Sequence, residues 1–497
     1  MSGNMKANLV IVGGGAAGLT AAVAAAEAGV KNIIILESRK GIGGNGNFVL
    51  GMFAADSKIQ NFLGIECRKD DVFKEQMHYH HWKTDPRLLR TLINKTADTV
   101  AWLEDKGVVW GGVLSHFPGQ TPRAHHYATG YNTTGAAIMD KLRQACEKLS
   151  VKILTQTRGK RLLIDGNGNI TDVIAGTKDG EMTIHTKSVI VATGGLYGNK
   201  DLIKKAIPWP QTYEPEEFIT WGLDHPGDGF QMLTEVGAAR EGRVIYEMHA
   251  PIFFGELRLP AYVLPISHLT VWVNKNGDRF ADETISDLFS ESANAVVRQP
   301  DKVMYSVFDE NILQRIIGRG FSEFELVVGA LLPGGVPANA GNIPAMKEEF
   351  ARDLKKEAEK GLVEISESWE EIAKFIGADP KTLKATIDEY NVSCDQGHDK
   401  LFDKDRETLV PLRTPPFYAM KCGACINTVH GDIKVNYQMQ VLNQQDNPIG
   451  GLYAAGVDVG TADWGTYNTH FTGHSFGFSV NGGRLAGESA AKYVLSK

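Results

Sequence analysis

The sequence predicts an α/β fold built on a parallel sheet, and four stretches carry that prediction. Residues 8–12 (NLVIV) form a short apolar run that ends in GGGAAG and opens an alanine-rich segment, LTAAVAAAEAG. A second apolar run, NIIILE, follows at once. Two more, VIVATGGLYG at residues 189–198 and GGLYAAGVDVG at 450–460, end in glycine turns far along the chain. Short continuous apolar runs bounded by glycine are how strands buried on both faces read.

The totals set bounds on function. A chain of 497 residues, 43% hydrophobic and 22% charged, is ordinary for a globular protein of two domains, or of one large core with an insertion. Its net charge of −7 gives no basic surface for nucleic acid. No apolar run reaches ~18 residues, so no membrane span is expected. The opening MSGNMKANLVIVGGG enters a strand without room for a leader. Five cysteines, an odd number with Cys67, Cys146 and Cys394 scattered, point to a reducing, cytoplasmic setting. Glycine is the outlier, with 54 residues against a usual ~7%. Its clusters mark backbone that must approach something closely.

The order strand, G-x-G-x-x-G, helix, strand, acid makes the dinucleotide-binding βαβ unit. Gly13 permits the tight turn, and Gly15 lets a pyrophosphate reach backbone N–H groups. Ala16 and Ala17 fill the motif, the N-terminus of the helix that follows favours phosphate charge, and Gly18 lets helix and strand close up. Glu37, 19 residues after Gly18, can accept from ribose hydroxyls. The alternative is a glycine-rich turn with no ligand. The loop SRKGIGGNGN, holding Ser38, Gly43, Gly44, Asn45, Gly46 and Asn47, is basic and then glycine-rich, as is common where the ligand is FAD. Ala192, Thr193 and Gly194 lie in one later turn, Gly456 and Asp458 in the other. The chain thus meets the cofactor in three widely separated places.

These motifs do not stand alone. Together with RLLRTLINKTADTVAWLEDKGV (87–108), RAHHYATG (123–130), HPGDGFQMLTEVGA (225–238), VNKNGDRFADE (273–283), SWEEIAKFIGADPKTLKATIDEYNVSCDQGHDKLF (368–402) and the closing GGRLAGESAA, the chain resembles the FAD-dependent fumarate reductase and succinate dehydrogenase flavoprotein family. Relatives of that family include 3-ketosteroid dehydrogenases and anaerobic ene-reductases. The resemblance covers nearly the whole chain and is specific for the family, not for a substrate. It implies a discontinuous Rossmann-like FAD-binding domain, residues 1–243 and 405–497, with an inserted α+β capping domain, residues 244–404. The charged stretch MKEEFARDLKKEAEK and the Asn276-Gly277 turn, a favoured hairpin pair, agree with an inserted part of different character. The family's substrate lies between cap and flavin, where closure excludes water. Its chemistry is hydride transfer between flavin N5 and one carbon of an activated C=C, while a protein acid or base handles the proton at the neighbouring carbon. The resemblance also implies that Asp228, Gly473, His474, Ser475 and Phe476 serve the cofactor. Asn45 and Asn47 stand in a loop where membrane-bound relatives attach FAD to histidine, so non-covalent FAD is expected. No C-x-x-C-H haem site is present, so electrons come from an external donor.

The site departs from fumarate reductase. Fumarate reductases grip two carboxylates with arginines and histidines, and use a further arginine as proton donor. Alignment with the family's G-x-R-F-x-N-E-x-x-x-R puts Asp287 where that catalytic arginine would stand. The pattern N-R-L-G-G-N falls on Thr469-His470-Phe471-Thr472-Gly473-His474, so His470 replaces a carboxylate-binding arginine. H-T-x-G-G becomes Asn427-Thr428-Val429-His430-Gly431. His249 keeps a family histidine, and Val457 replaces an acid that meets the ribityl chain, with Asp458 as a possible substitute. A buried dicarboxylate needs compensating positive charge, so a neutral enone, an aryl or extended mono-enoate, or a steroid-like ketone fits better than fumarate. His470 is the lead candidate for oxygen ligand or proton donor, against a helix-capping or core role. His474 belongs beside the flavin. His249 and His430 are candidates, or polar residues lining a cleft. Asp287 is either an acid with a pKa raised by burial or a helix-start residue. Tyr467 and Tyr262 can donate a phenolic proton, or simply pack.

Other patterns carry less. Cys422 and Cys425 have dithiol spacing, but on an apparent strand they point to opposite faces. His78 and His81 would share a helix face, yet a zinc site needs a third ligand, and none is identifiable; no metal is expected. A 3-ketosteroid-type dehydrogenase is one alternative function. A flavin-bearing electron-transfer subunit is another, of a different class. An oxygen-using hydroxylase would normally need a second nucleotide motif, which the sequence does not display.

Overall fold

The computed structural model describes residues 4–115, 120–130, 133–206, 219–220, 223–242, 245–255, 264–319, 343–460 and 463–497. The chain divides into two compact units. Met1–Pro208, Gly222–Glu247 and Thr428–Lys497 form the first, and Trp209–Trp221 with Met248–Asn427 form the second.

The apolar runs dictate the central sheet of the first unit. Asn4–Val12 pairs parallel with Ile33–Leu36 on one side and Gly180–Val191 on the other. Pro448–Ala454 extends the sheet beyond Gly180–Val191, and Lys152–Leu154 extends it beyond Ile33–Leu36, both parallel. Ile33–Leu36 is buried at every position. Gly180–Val191 alternates buried and exposed from Ile184 to Lys187 and is then buried from Ser188 to Val191. Alternation reports one wet face; continuous burial reports cover on both faces.

Register brings four strand ends level. Leu36 pairs with Val12, Val12 with Val191, and Val191 with Ala454. The segments that begin at Glu37, Gly13, Ala192 and Ala455 therefore leave one carboxyl edge of the sheet, which is where ligands sit on open parallel sheets.

Two helices pack against this sheet and against each other. Ala16–Glu27 is buried from Ala17 to Ala26, as a helix apolar all round must be. The C-terminal helix His474–Leu495 lies against it so closely that a Cβ on Gly483 or Gly487 would stand 2.4 or 2.3 Å from the carbonyl oxygens of Ala17 and Ala21. A third helix, Pro86–Asp105, starts where its sequence says it should: Asp85 accepts from the Arg87 and Leu88 amides at 2.7 and 3.0 Å, with proline in the first turn. Among the described residues, no helix is long and apolar enough to cross a membrane.

The second unit is organised by antiparallel pairing. Met304–Asp309 pairs with Val271–Val273 and with Phe417–His430, which also pairs with Val363–Ser366. A buried ionic cluster holds its loops. Arg279 donates to Glu283 through Nε and Nη2, both at 2.8 Å, and to Asp399 at 2.7 Å. Lys404 reaches Glu283 at 2.9 Å and the Thr270 carbonyl at 3.1 Å. Burial alone would raise the Glu283 carboxyl, but Lys404 and Arg279 hold it below the ordinary range.

Candidate active site

The glycine motif at the end of Asn4–Val12 is shaped for a ligand. Gly13 has φ +110°, and a Cβ there would lie 2.1 Å from the Ala192 carbonyl oxygen; one on Gly18 would lie 1.9 Å from that of Gly13. Both positions need glycine on packing grounds alone. Gly15 differs: a Cβ there would meet nothing closer than 3.9 Å, so its surroundings are open. Ala16–Glu27 begins with no side-chain cap, which leaves amides of its first turn for an anion. Glu37 accepts from the Gly14 amide at 2.9 Å and the Arg39 amide at 2.8 Å, fixing the acid beside the motif. Ser38 is exposed next to it.

The glycine-rich loop supports itself. Gly44–Phe48 forms a 3-10 turn after Gly43, whose φ is +99°. Asn47 donates to the Ile42 carbonyl at 2.9 Å, and Asn45 accepts from the Leu223 amide at 3.3 Å. Gly46 is buried.

Asp458 has a more defined task than its place in the sequence suggested. Its carboxylate accepts from the amides of Thr193, Gly194 and Gly195, the last at 2.9 Å, and from Thr193 Oγ1 at 3.0 Å. Thr193 Oγ1 in turn accepts from the Gly229 amide at 3.1 Å, at the start of the helix Asp228–Glu235. The two later glycine turns, with Ala192–Gly194 in one and Gly456 in the other, are thus tied together by one buried side chain. Burial keeps the Asp458 carboxyl above its ordinary value despite these donors. Asp228 is ion-paired with Arg158 at 2.5 Å. His225 places Nδ1 3.2 Å from the Thr193 carbonyl, and burial pushes its pKa down to about 4.

Residues 463–474 bring several candidates together. Gly473, with φ +78°, precedes the C-terminal helix, which also starts without a side-chain cap; Ser475 and Phe476 lie in its first turn. His474 is buried, with Nε2 2.7 Å from Asp463 Oδ2 and Nδ1 2.6 Å from the Phe471 carbonyl. Tyr467 stacks on the His474 ring, centroids 4.3 Å apart at 24°. His430, buried at the end of Phe417–His430, meets Tyr467 edge-on at 5.9 Å. His470 is only half-buried, and its Nδ1 lies 2.8 Å from Gln120 Nε2. Arg123 donates to the His470 carbonyl at 3.4 Å while holding Glu75 at 2.5 and 2.8 Å.

The second unit holds the other candidates. His249 stacks on Phe289, centroids 3.8 Å apart at 20°. Asp287 closes the 3-10 turn Glu283–Asp287 and lies 3.2 Å from His268 Nε2. The helix Phe289–Val297 receives no side-chain cap, so Asp287 does not cap it. Tyr262 lies outside the described residues.

Sequence reasoning missed Asp463, Gln76, His80, Gln120, Arg123 and His268. His80 was passed over for its neighbours His78 and His81, yet it is His80 that turns inward, to Asp463 at 3.1 Å. The helix Lys69–Tyr79 ends before His81, whose φ is +51°, so His78 and His81 do not share a helix face. Cys422 and Cys425 are buried on the strand Phe417–His430, and burial raises the Cys422 thiol, the opposite of a reactive thiolate.

Comparison with known proteins agrees with this geometry. A vinyl phenol reductase of Lactiplantibacillus plantarum is 30% identical over 503 residues, covering 98% of this chain and 97% of its own length. An NADH:fumarate oxidoreductase of Klebsiella pneumoniae is 26% identical over 492 residues, covering 98% of this chain but 48% of its own length. The fold is shared with a 3-ketosteroid-Δ4-(5α)-dehydrogenase from Rhodococcus jostii RHA1, at a TM-score of 0.72 and 21% identity over 98% of this chain and 97% of that one. It is also shared with the open conformation of a flavocytochrome c3 fumarate reductase, at 0.71 and 24% over 99% and 79%. Residues 8–470 match the FAD binding domain family. The uncapped helix, the constricted glycines and the acid at the end of the second strand fit FAD, and the chain belongs to this family as an FAD-dependent oxidoreductase.

Proposed function

We propose that this protein is an ene-reductase acting on the C=C of a neutral or singly charged substrate, with an aryl alkene or aryl enoate as the first choice and an enone next. Bound FAD supplies the hydride at N5. The observation that carries the reading is the charge of the loop at residues 463–474, DWGTYNTHFTGH, which has no lysine or arginine. The nearby Arg123 is held by Glu75 at 2.5 and 2.8 Å. A dicarboxylate would meet little compensating charge there, and unpaired buried charge costs several kcal/mol. The vinyl phenol reductase relative, matched along both chains, supports the same class of substrate.

In this reading His470 orients the substrate oxygen or delivers the proton to the carbon next to the one that receives hydride, with Tyr467 as the second candidate donor. His430 and His249 line the substrate, and Asp287 with His268 forms an acid pair that exchanges a proton. FAD is held without a covalent bond, by the glycine turns of the first unit. Electrons arrive from a separate donor in a reducing, cytoplasmic setting.

The test is anaerobic. Dithionite-reduced holoprotein is mixed with fumarate, aryl enoates, vinyl phenols, enones and steroid enones, and flavin reoxidation is followed. Rapid reoxidation by a neutral or singly charged alkene with fumarate inert is expected. Fast reoxidation by fumarate overturns the substrate class, and a protein that no alkene reoxidises is an electron-transfer subunit instead. Substitution His470→Gln should slow the alkene reaction, and Asp287→Asn should slow it if that carboxyl carries a proton.

A further inference from the structure

Asp463 is fully buried, and four donors among the described residues meet on it. Its Oδ2 accepts from His474 Nε2 at 2.7 Å; its Oδ1 accepts from Gln76 Nε2 at 3.0 Å, His80 Nε2 at 3.1 Å and the Asn468 amide at 3.4 Å. Both nitrogens of His474 face oxygens, the Asp463 carboxylate and the Phe471 carbonyl at 2.6 Å. A carbonyl and a carboxylate can only accept, so both nitrogens carry hydrogen and the ring is a cation. At His80, Nδ1 has both the Trp464 amide at 3.2 Å and the Trp464 carbonyl at 3.3 Å within reach, so these partners allow either tautomer. Burial works to raise the Asp463 carboxyl, but His474 and His80 carry it well below the ordinary range.

One contact of each candidate proton donor leads back to this carboxylate. Tyr467 lies flat on the His474 ring at 4.3 Å. Asn468 donates from its side chain to Gln76 Oε1 at 2.7 Å and accepts the His470 amide at 3.1 Å. An ion pair sealed from water is a costly way to fasten a loop unless its geometry matters.

We propose that Asp463 is a positioning residue of the reaction: paired with a doubly protonated His474, it holds the loop so that His470 and Tyr467 meet the substrate carbon in a fixed geometry. The inference rests on the ene-reductase reading above. It assigns no proton to Asp463 itself. Its effect is exerted through Asn468 on His470 and through His474 on Tyr467.

The experiment compares wild type, Asp463→Asn and the double substitution Asp463→Asn with His474→Gln, all as FAD-loaded protein. Asparagine keeps the shape of the side chain but sets a donor against His474 or leaves it without a counter-ion. The double variant restores a neutral pair of amides. Two oxidants of the reduced flavin are used: an alkene that wild type accepts, and ferricyanide, which takes electrons without a proton being placed on carbon. Histidine 15N spectra, assigned with His474→Gln, report the ring protons independently of turnover.

Asp463→Asn is expected to slow the alkene about a hundredfold, the scale of a misplaced reacting group, and ferricyanide by no more than about twofold. Wild-type His474 is expected to show two ring N–H groups, and the double variant to recover roughly tenfold of the lost alkene rate. Should Asp463→Asn fail to fold, Asn468→Ala, which cuts the side-chain links to the His470 amide and to Gln76 Oε1 and leaves the Asp463–His474 pair in place, should still slow the alkene selectively. An unchanged alkene rate in a folded variant, equal slowing of both oxidants, or a single N–H on wild-type His474 would each overturn the positioning role. A wild type that no alkene reoxidises would sink the function first, and the positioning role with it.

Discussion

Asp458 and Thr193, 265 positions apart in the chain, meet so that one buried carboxylate receives the Thr193 hydroxyl and the amides of Thr193, Gly194 and Gly195. The strand-end turn at Ala192 therefore keeps its shape only while the later turn at Gly456 is in place. Substitution Asp458→Ala should leave these amides unsatisfied, at about 1–3 kcal/mol for each group not rescued by water. The expected outcome is a folded protein that loses FAD during gel filtration, read from the ratio of flavin to protein absorbance. Full FAD occupancy in that variant would contradict the role given to Asp458.

Acid should destabilise the first unit well before its carboxylates titrate. Burial lowers His125, which shares a hydrogen with Ser57 Oγ at 2.7 Å, to about 4, and burial with the nearby Arg39 charge lowers His225 to about 4. An unfolded histidine titrates near ~6.5. Between those values the unfolded chain binds protons that the folded chain refuses, so stability is full above the unfolded pKa and falls as pH drops. The loss approaches a limit on the order of 3 kcal/mol per histidine near pH 4. Thermal unfolding followed from about pH 8 to about pH 4 should show Tm declining from about pH 6.5 downward. A Tm that stays flat to about pH 5 would rule this out.

Glu283 is the hinge of charge balance in the second unit, because Arg279 and Lys404 both depend on it. Removing one partner of a buried ion pair costs about 3–5 kcal/mol. Glu283→Ala should lower the denaturant midpoint by a matching amount, in the transition reported by tryptophan fluorescence, to which Trp272 and Trp369 of the second unit contribute. A midpoint shift below about 1 kcal/mol equivalent would mean that water enters the cluster.

Glu75 neutralises Arg123 close to His470. Glu75→Gln would leave a cation beside the candidate substrate-facing loop. The expected result is a shift in preference toward carboxylate-bearing alkenes, by about tenfold in the ratio of kcat/KM for an aryl enoate over the corresponding enone. An unaltered ratio would place the substrate carboxylate elsewhere.

What could be read in the sequence was what is local. The motif from Gly13 to Gly18 and the acid Glu37 lie within one βαβ unit, where chain order alone fixes spatial order. The strands at residues 189–191 and 452–454 were visible because burial on both faces forces unbroken apolar runs. Gln76 and Asp463, by contrast, are 387 positions apart, and no periodicity links an amide on a helix to an acid in a distant loop. His80 was hidden for a different reason: in a run of three histidines, only the place where the helix stops decides which ring turns inward. Asp287 was legible as a departure from a pattern, while its partner His268 belongs to no motif.

The close packing of Gly483 and Gly487 against Ala17 and Ala21 also has a bearing on biosynthesis. The first helix leaves the ribosome early but lacks the surface that covers it until the C-terminal helix emerges. At roughly 5–20 residues per second, the interval between them is tens of seconds. For that time the nascent flavin site is half a site, and an alanine-rich apolar helix waits exposed. The surface on which the cofactor site is built is therefore incomplete until the second of these two helices has been made.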